Sequence, residues 1–104
     1  MTVTSIVHAR NGFDVYIGRP SKWGNPFIIG VHGSREEVVG LYRNWILNID
    51  ELLEDLPELI GKRLGCHCSP KACHGNILVE LVNILVEKYS GDIAKFINNK
   101  DLHR

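Results

Sequence analysis

Two stretches concentrate the residue types that do chemistry. In the run Gly65-Cys66-His67-Cys68-Ser69-Pro70-Lys71-Ala72-Cys73-His74-Gly75, three thiols and two imidazoles fall within ten positions. Cys73 and His74 stand where a leucine-rich helical pattern begins, so the free N–H groups and positive dipole end of that helix are expected to meet them. A thiol there, beside Lys71 and His74, is expected to have a lowered pKa and act as a nucleophile. Cys73 is then the catalytic candidate and His74 or His67 the proton carrier. Lys71 and the N–H groups running to Gly75 would hold an anion. The alternative is structural zinc on Cys66, Cys68, Cys73 and His74, with His67 a further candidate, although the spacing is not that of paired C-x2-C knuckles. A third reading packs the cysteines as small apolar side chains beneath the helix.

The second stretch is Gly18-Arg-Pro-Ser-Lys-Trp-Gly-Asn-Pro-Phe27. Arg19 and Lys22 suit a phosphate, Trp23 and Phe27 suit ring stacking, and Asn25 suits a base edge. Together they are the inventory of a nucleotide pocket, with the phosphate laid on the helix start at Cys73 to Gly75. The competing reading makes the loop a rigid turn and folds Trp23 and Phe27 into the core over Tyr42 and Trp45.

These loops need elements to hold them. Val3 to Ala9 and Phe13 to Gly18 read as short strands, and Asn11-Gly12 between them predicts a two-residue hairpin. Phe27 to Val31 would add a short strand. Ser34 and Glu37 fit a capping box, and Val38, Leu41, Tyr42, Trp45 and Ile49 predict an amphipathic helix over 34–48. Asp50 to Leu59, with five acidic residues and no basic one, reads as an acidic helix interrupted near Pro57, with a solvated face. A strand is expected to end at Cys68. Ile77, Leu78, Leu81, Val82, Leu85, Val86 and Tyr89 mark a second main helix, stopped by Ser90-Gly91. The expected fold is α/β: a small single-domain sandwich over 1–104 with an N-terminal β-hairpin, a short mixed sheet, one central strand-loop-helix unit and two main amphipathic helices.

Twelve basic and twelve acidic residues cancel over 104 positions, which argues against binding duplex nucleic acid through its phosphates. The balance is uneven, because basic residues gather near both loops and acidic ones in 50–58. A locally cationic site for a small anion follows. No apolar run approaches the roughly 20 residues of a membrane span. An odd, clustered cysteine set fits a reducing cytoplasm better than a secreted disulfide framework. The acidic segment is also a candidate surface for a host protein, and nothing in the pattern reads out the oligomeric state.

The run Val15-Tyr-Ile-Gly-Arg-Pro-Ser-Lys-Trp-Gly-Asn-Pro-Phe27, the later Tyr42 and Trp45, and Gly65 to Gly75 together resemble domain of unknown function 4326, over roughly Val3 to Val86. The resemblance implies a cytoplasmic, phage-type domain with a shared site. His67 departs from the Trp that members usually carry between the first two cysteines. The leading expectation is a binder of a nucleotide or similar small anion, with cysteine-dependent catalysis as its active version; the alternative is a non-catalytic module held by zinc.

Overall fold

The computed structural model describes residues 3–68, 71 and 73–104. Its sheet has three strands, β1 (Ser5–His8), β2 (Val15–Tyr16) and β3 (Arg63–Cys66), in the order β1-β3-β2. All pairing is parallel, with Ile6 opposite Leu64 and Val15 also opposite Leu64 on the other side. The α/β class is therefore as expected, while the hairpin and the mixed sheet are not. Asn11-Gly12 does turn, with Gly12 at φ +85° and its N–H bonded to the Ala9 carbonyl at 3.3 Å. That turn closes a 3-10 segment over Ala9–Asn11 and sends the chain across β3 instead of back along β1. β3 presents two open edges, and each N-terminal strand takes one.

The crossover is close. A Cβ at Gly65 would stand 2.6 Å from the Phe13 ring, so only glycine lets the connection lie on the middle of β3. Asp14 clamps the start of β2, accepting the Arg63 backbone N–H at 2.8 Å and pairing with its guanidinium at 3.3 Å. Arg63 beside it holds the Asp14 carboxyl below its usual range.

The described residues also form four α-helices: α1 (Arg35–Leu47), α2 (Asp50–Leu53), α3 (His74–Tyr89) and α4 (Ile93–Asn98). The Ser34/Glu37 capping box forms reciprocally, at 3.2 and 3.0 Å. α3 stops where expected, with Ser90 at φ 52° and the Gly91 N–H reaching back to the Leu85 carbonyl. Pro57 converts the end of the acidic stretch to a 3-10 turn over Leu56–Leu59. Leu53, Leu56 and Leu59 are fully buried, so this stretch contributes to the core as well as to the surface. Phe27 to Val31 forms no strand; its one ladder contact is the isolated bridge from Ile29 to Gly33. β3 ends at Cys66, two residues earlier than expected. Leu64, Cys66 and Ile17 meet Leu78, Leu81, Val82 and Leu85 of α3 in one continuous core with Tyr42 and Ile46 of α1.

Candidate functional site

A cavity of about 370 Å³ opens between the segment after β2 and the turn from β3 into α3. The first wall starts at Ile17, whose N–H continues the β2 ladder onto the Gly65 carbonyl at 2.9 Å. Beyond it the chain folds tightly on itself, with the Arg19–Pro20 peptide cis and the Ser21 N–H on the Gly18 carbonyl. A Cβ at Gly24 would lie 3.0 Å from the Arg19 side chain and 3.2 Å from its backbone, so a bare glycine lets the loop close behind Arg19. Arg19, Asn25 and Phe27 line the cavity as a result.

Asn25 is a scaffold within this wall. Its Nδ2 donates to the Val38 carbonyl at 3.2 Å and its Oδ1 accepts the Phe27 N–H at 2.9 Å, tying the loop backbone to α1. The His32 ring meets the Phe27 phenyl edge-on at 5.6 Å. One N–H and one lone pair of the Asn25 amide thus hold the loop, while Asn25 itself lines the cavity.

Trp23 and Lys22 turn the other way. The Trp23 ring is 1% exposed, its Nε1 donates to Glu58 at 3.2 Å, and its carbonyl accepts the Tyr42 hydroxyl at 2.7 Å. No face is left for stacking; the core reading is the one realised for Trp23. Lys22 pairs with Asp55 at 2.8 Å and Glu58 at 3.0 Å and lies over the Trp23 ring. Its ammonium is drawn off to the acidic segment, so it does not border the cavity. These two partners hold the Lys22 pKa above its usual value.

The second wall carries Cys66, His67, Cys68, Cys73 and His74, so residues from both chemically rich stretches border one space. Cys73 caps α3, its sulfur accepting the Gly75 N–H at 3.3 Å while Asn76 Oδ1 accepts the Cys73 N–H at 2.9 Å. Two corrections follow. Burial pushes the Cys73 thiol up to about 12, against the opposing pull of the Gly75 N–H, so the helix start does not make it a thiolate. The helix also spends its N–H donors at Cys73, Gly75 and Asn76 on its own cap, which takes them from the expected anion cradle. Gly75 is buried against Ile17 and Ile6 and acts through packing and that N–H.

His74 is buried too. Its Nε2 stands 2.7 Å from the Ile17 carbonyl and its ring meets Tyr42 at 5.0 Å. Burial lowers its pKa, partly offset by the Ile17 contact, and the charge of Arg19 lowers it further. His67 is exposed and stacks edge-on with His8 and Tyr16 on the side of the sheet that Phe13 covers. Lys71 is exposed and does not border the cavity; Ser69, Pro70 and Ala72 lie outside the described residues. Among the described residues, no three of His, Cys, Asp and Glu converge on a point that could hold a metal ion.

The charged residues bordering the cavity are Arg19 and Arg35, with no carboxylate among the described lining. Arg35 was not singled out in the sequence, although its signal was available: the capping box puts it on the first turn of α1, directly after Ser34. Tyr16, Ile28, Ile29, Val38 and Val39 supply the apolar lining and likewise carried no chemical signal.

No helix of the described residues is long and apolar enough to cross a membrane. Compared with known proteins, the chain is 40% identical over 100 aligned residues to an uncharacterized protein of Acanthamoeba polyphaga mimivirus, covering 79% of this chain and 75% of that one. It is 41% identical over 80 residues to an uncharacterized 12.4 kDa protein of the nrdA-td intergenic region of Enterobacteria phage T4, covering 73% of each. No solved structure matches it. The family described as "Domain of unknown function (DUF4326)" matches residues 5–84, which span both cavity walls, and the chain belongs to that family.

Proposed function

We propose that the protein binds a small anionic ligand bearing a flat ring, of the nucleoside monophosphate type, in the cavity between the two loops. One observation carries this reading: Arg19 borders a concave, otherwise mostly apolar space whose described lining holds no carboxylate. Arginine matches a phosphate by paired N–H donors, and a half-closed site strengthens that attraction over its value in water. Phe27 and Tyr16 offer ring edges and faces, and Ile28, Ile29, Val38 and Val39 offer apolar contact. The volume of about 370 Å³ lies at the small end of ligand sites, where a mononucleotide fits and a polymer does not.

The reading is one of binding without turnover. A buried, protonated Cys73 and a neutral His74 anchored on Ile17 give no activated nucleophile at neutral pH. Titration of reduced protein with nucleoside monophosphates and with inorganic phosphate, followed by calorimetry, tests the proposal. A monophosphate is expected to saturate and to bind tighter than phosphate, and Arg19→Ala is expected to weaken it about 10-fold or more. Absence of saturation by every nucleotide, or equal binding by Arg19→Ala, overturns it.

A further inference from the structure

We propose that Cys66 and Cys73 form a redox couple at the buried side of the cavity, closing to a disulfide when a peroxide reaches them. The two sulfurs are 3.5 Å apart, and both cysteines are free and buried. Cys66 is the last residue of β3 and Cys73 the N-cap of α3, so the pair spans the turn at the centre of the fold. A disulfide of about 2.05 Å asks the sulfurs to approach by roughly 1.5 Å, a distance that side-chain torsions supply.

The surroundings favour that approach. The Gly75 N–H already holds the Cys73 sulfur in place, and a bonded sulfur keeps lone pairs for it. A Cβ at Gly75 would stand 3.2 Å from this sulfur, so glycine leaves the sulfur room to move. Both cysteines border the cavity, which gives a molecule as small as hydrogen peroxide a route to them. Cys68 borders it as well and is half-buried, which makes it the competing partner.

The chemistry balances with peroxide as the oxidant. One sulfur attacks a peroxide oxygen, the O–O bond breaks, and a sulfenic acid forms as water leaves with the thiol proton. The second sulfur then attacks the sulfenic sulfur, the S–O bond breaks, and a second water leaves with the second proton. Two thiols are oxidised to one disulfide, and both peroxide oxygens are reduced to water. The burial that keeps Cys73 protonated makes the reaction slow beside that of an exposed thiol. Closure ties residues 66 to 73 into a loop at the cavity's edge.

The full chain, reduced and freed of reductant, is treated with hydrogen peroxide over hours, and remaining thiols are alkylated before intact-mass measurement and peptide mapping. The expected result is loss of two hydrogens, a link within one chain between Cys66 and Cys73, and alkylation at Cys68 alone. Dithiothreitol is expected to restore three alkylatable thiols. Cys68→Ser should form the same link, and Cys66→Ala should not. A link to Cys68, links only between chains, or oxygen addition without any link overturns the couple. The map of the unaltered chain decides even if Cys66→Ala does not fold. No ligand enters the assay, so its outcome is independent of the anion-binding reading.

Discussion

The Nε2 of His74 stands 2.7 Å from the carbonyl oxygen of Ile17, joining the first residue of α3 to the segment that leaves β2. A carbonyl only accepts, so Nε2 carries the proton and the neutral ring leaves Nδ1 as an acceptor. The two cavity walls are fastened at this point. Arg19, two residues beyond Ile17, adds a positive charge that opposes protonation of the same ring.

That fastening makes stability depend on pH in a stated direction. The folded pKa of His74 lies below the ordinary 6.5, chiefly through burial, so above 6.5 the ring is neutral folded or unfolded and contributes no pH dependence. As pH falls through that value the unfolded chain takes up a proton that the folded chain resists, and stability drops. Urea midpoints measured from about pH 8 to about pH 5 are expected to fall, and His74→Gln, which keeps an amide donor for Ile17, should flatten the fall. A residual slope is expected from His103, whose pKa is also lowered, by burial and by Lys88 and Arg43, and toward pH 5 from Glu37, whose carboxyl the Ser34 cap holds low. An unchanged slope in His74→Gln would contradict the assignment.

Gly65→Ala is expected to destabilise the fold by about 1–3 kcal/mol, because the new methyl would stand within 2.6 Å of the Phe13 ring. The same substitution in a Phe13→Ala background should cost measurably less, since the two residues share one contact. Equal costs in the two backgrounds would place the crossover elsewhere.

Lys22 and Trp23 are predicted to matter for stability and not for the ligand. Lys22→Gln should cost no more than about 1 kcal/mol, as its two ion pairs are half exposed. Trp23→Phe should cost about 1–3 kcal/mol through the lost Glu58 contact and the smaller ring. Calorimetry should find nucleotide affinity unaltered by Lys22→Gln. A loss matching that of Arg19→Ala would put the ammonium back in the site.

Zinc content checks the remaining alternative for the cysteines. Protein purified without added metal is expected to hold far less than one zinc per chain, because no three donors converge among the described residues. A chelator should leave the melting temperature unchanged. A structural zinc contributes about 10–16 kcal/mol in small domains, so near-stoichiometric metal and unfolding by chelator would reverse this reading.

Local signals in the chain were legible wherever one segment settles its own conformation. The Ser34/Glu37 box, the apolar spacing of α3 and the stop at Ser90-Gly91 all depend on neighbours within a few residues. Asn11-Gly12 was legible as a turn and not as a direction, because the strand that both N-terminal strands pair with lies far down the chain. The site shows the same division. That both loops border one cavity follows from their chemistry, but Lys22 and Trp23 answer to Asp55 and Glu58, which in the sequence read as a solvated face. At Cys73 the dipole and the nearby cations promised a thiolate, and the burial that reversed the sign is a property of the packed core alone.

The central position of β3 bears on how the chain comes off the ribosome. β1 and β2 never touch each other as strands; each bonds only to β3, which is made in the second half of the chain. The nascent N-terminal half therefore has no sheet of its own to settle into, and its ladder groups stay open until residues 63–66 emerge between them. Contacts this distant in sequence form late and slowly. A premature stop before β3 would yield a fragment with two unpaired strand edges, the kind of species that associates with other chains in place of folding.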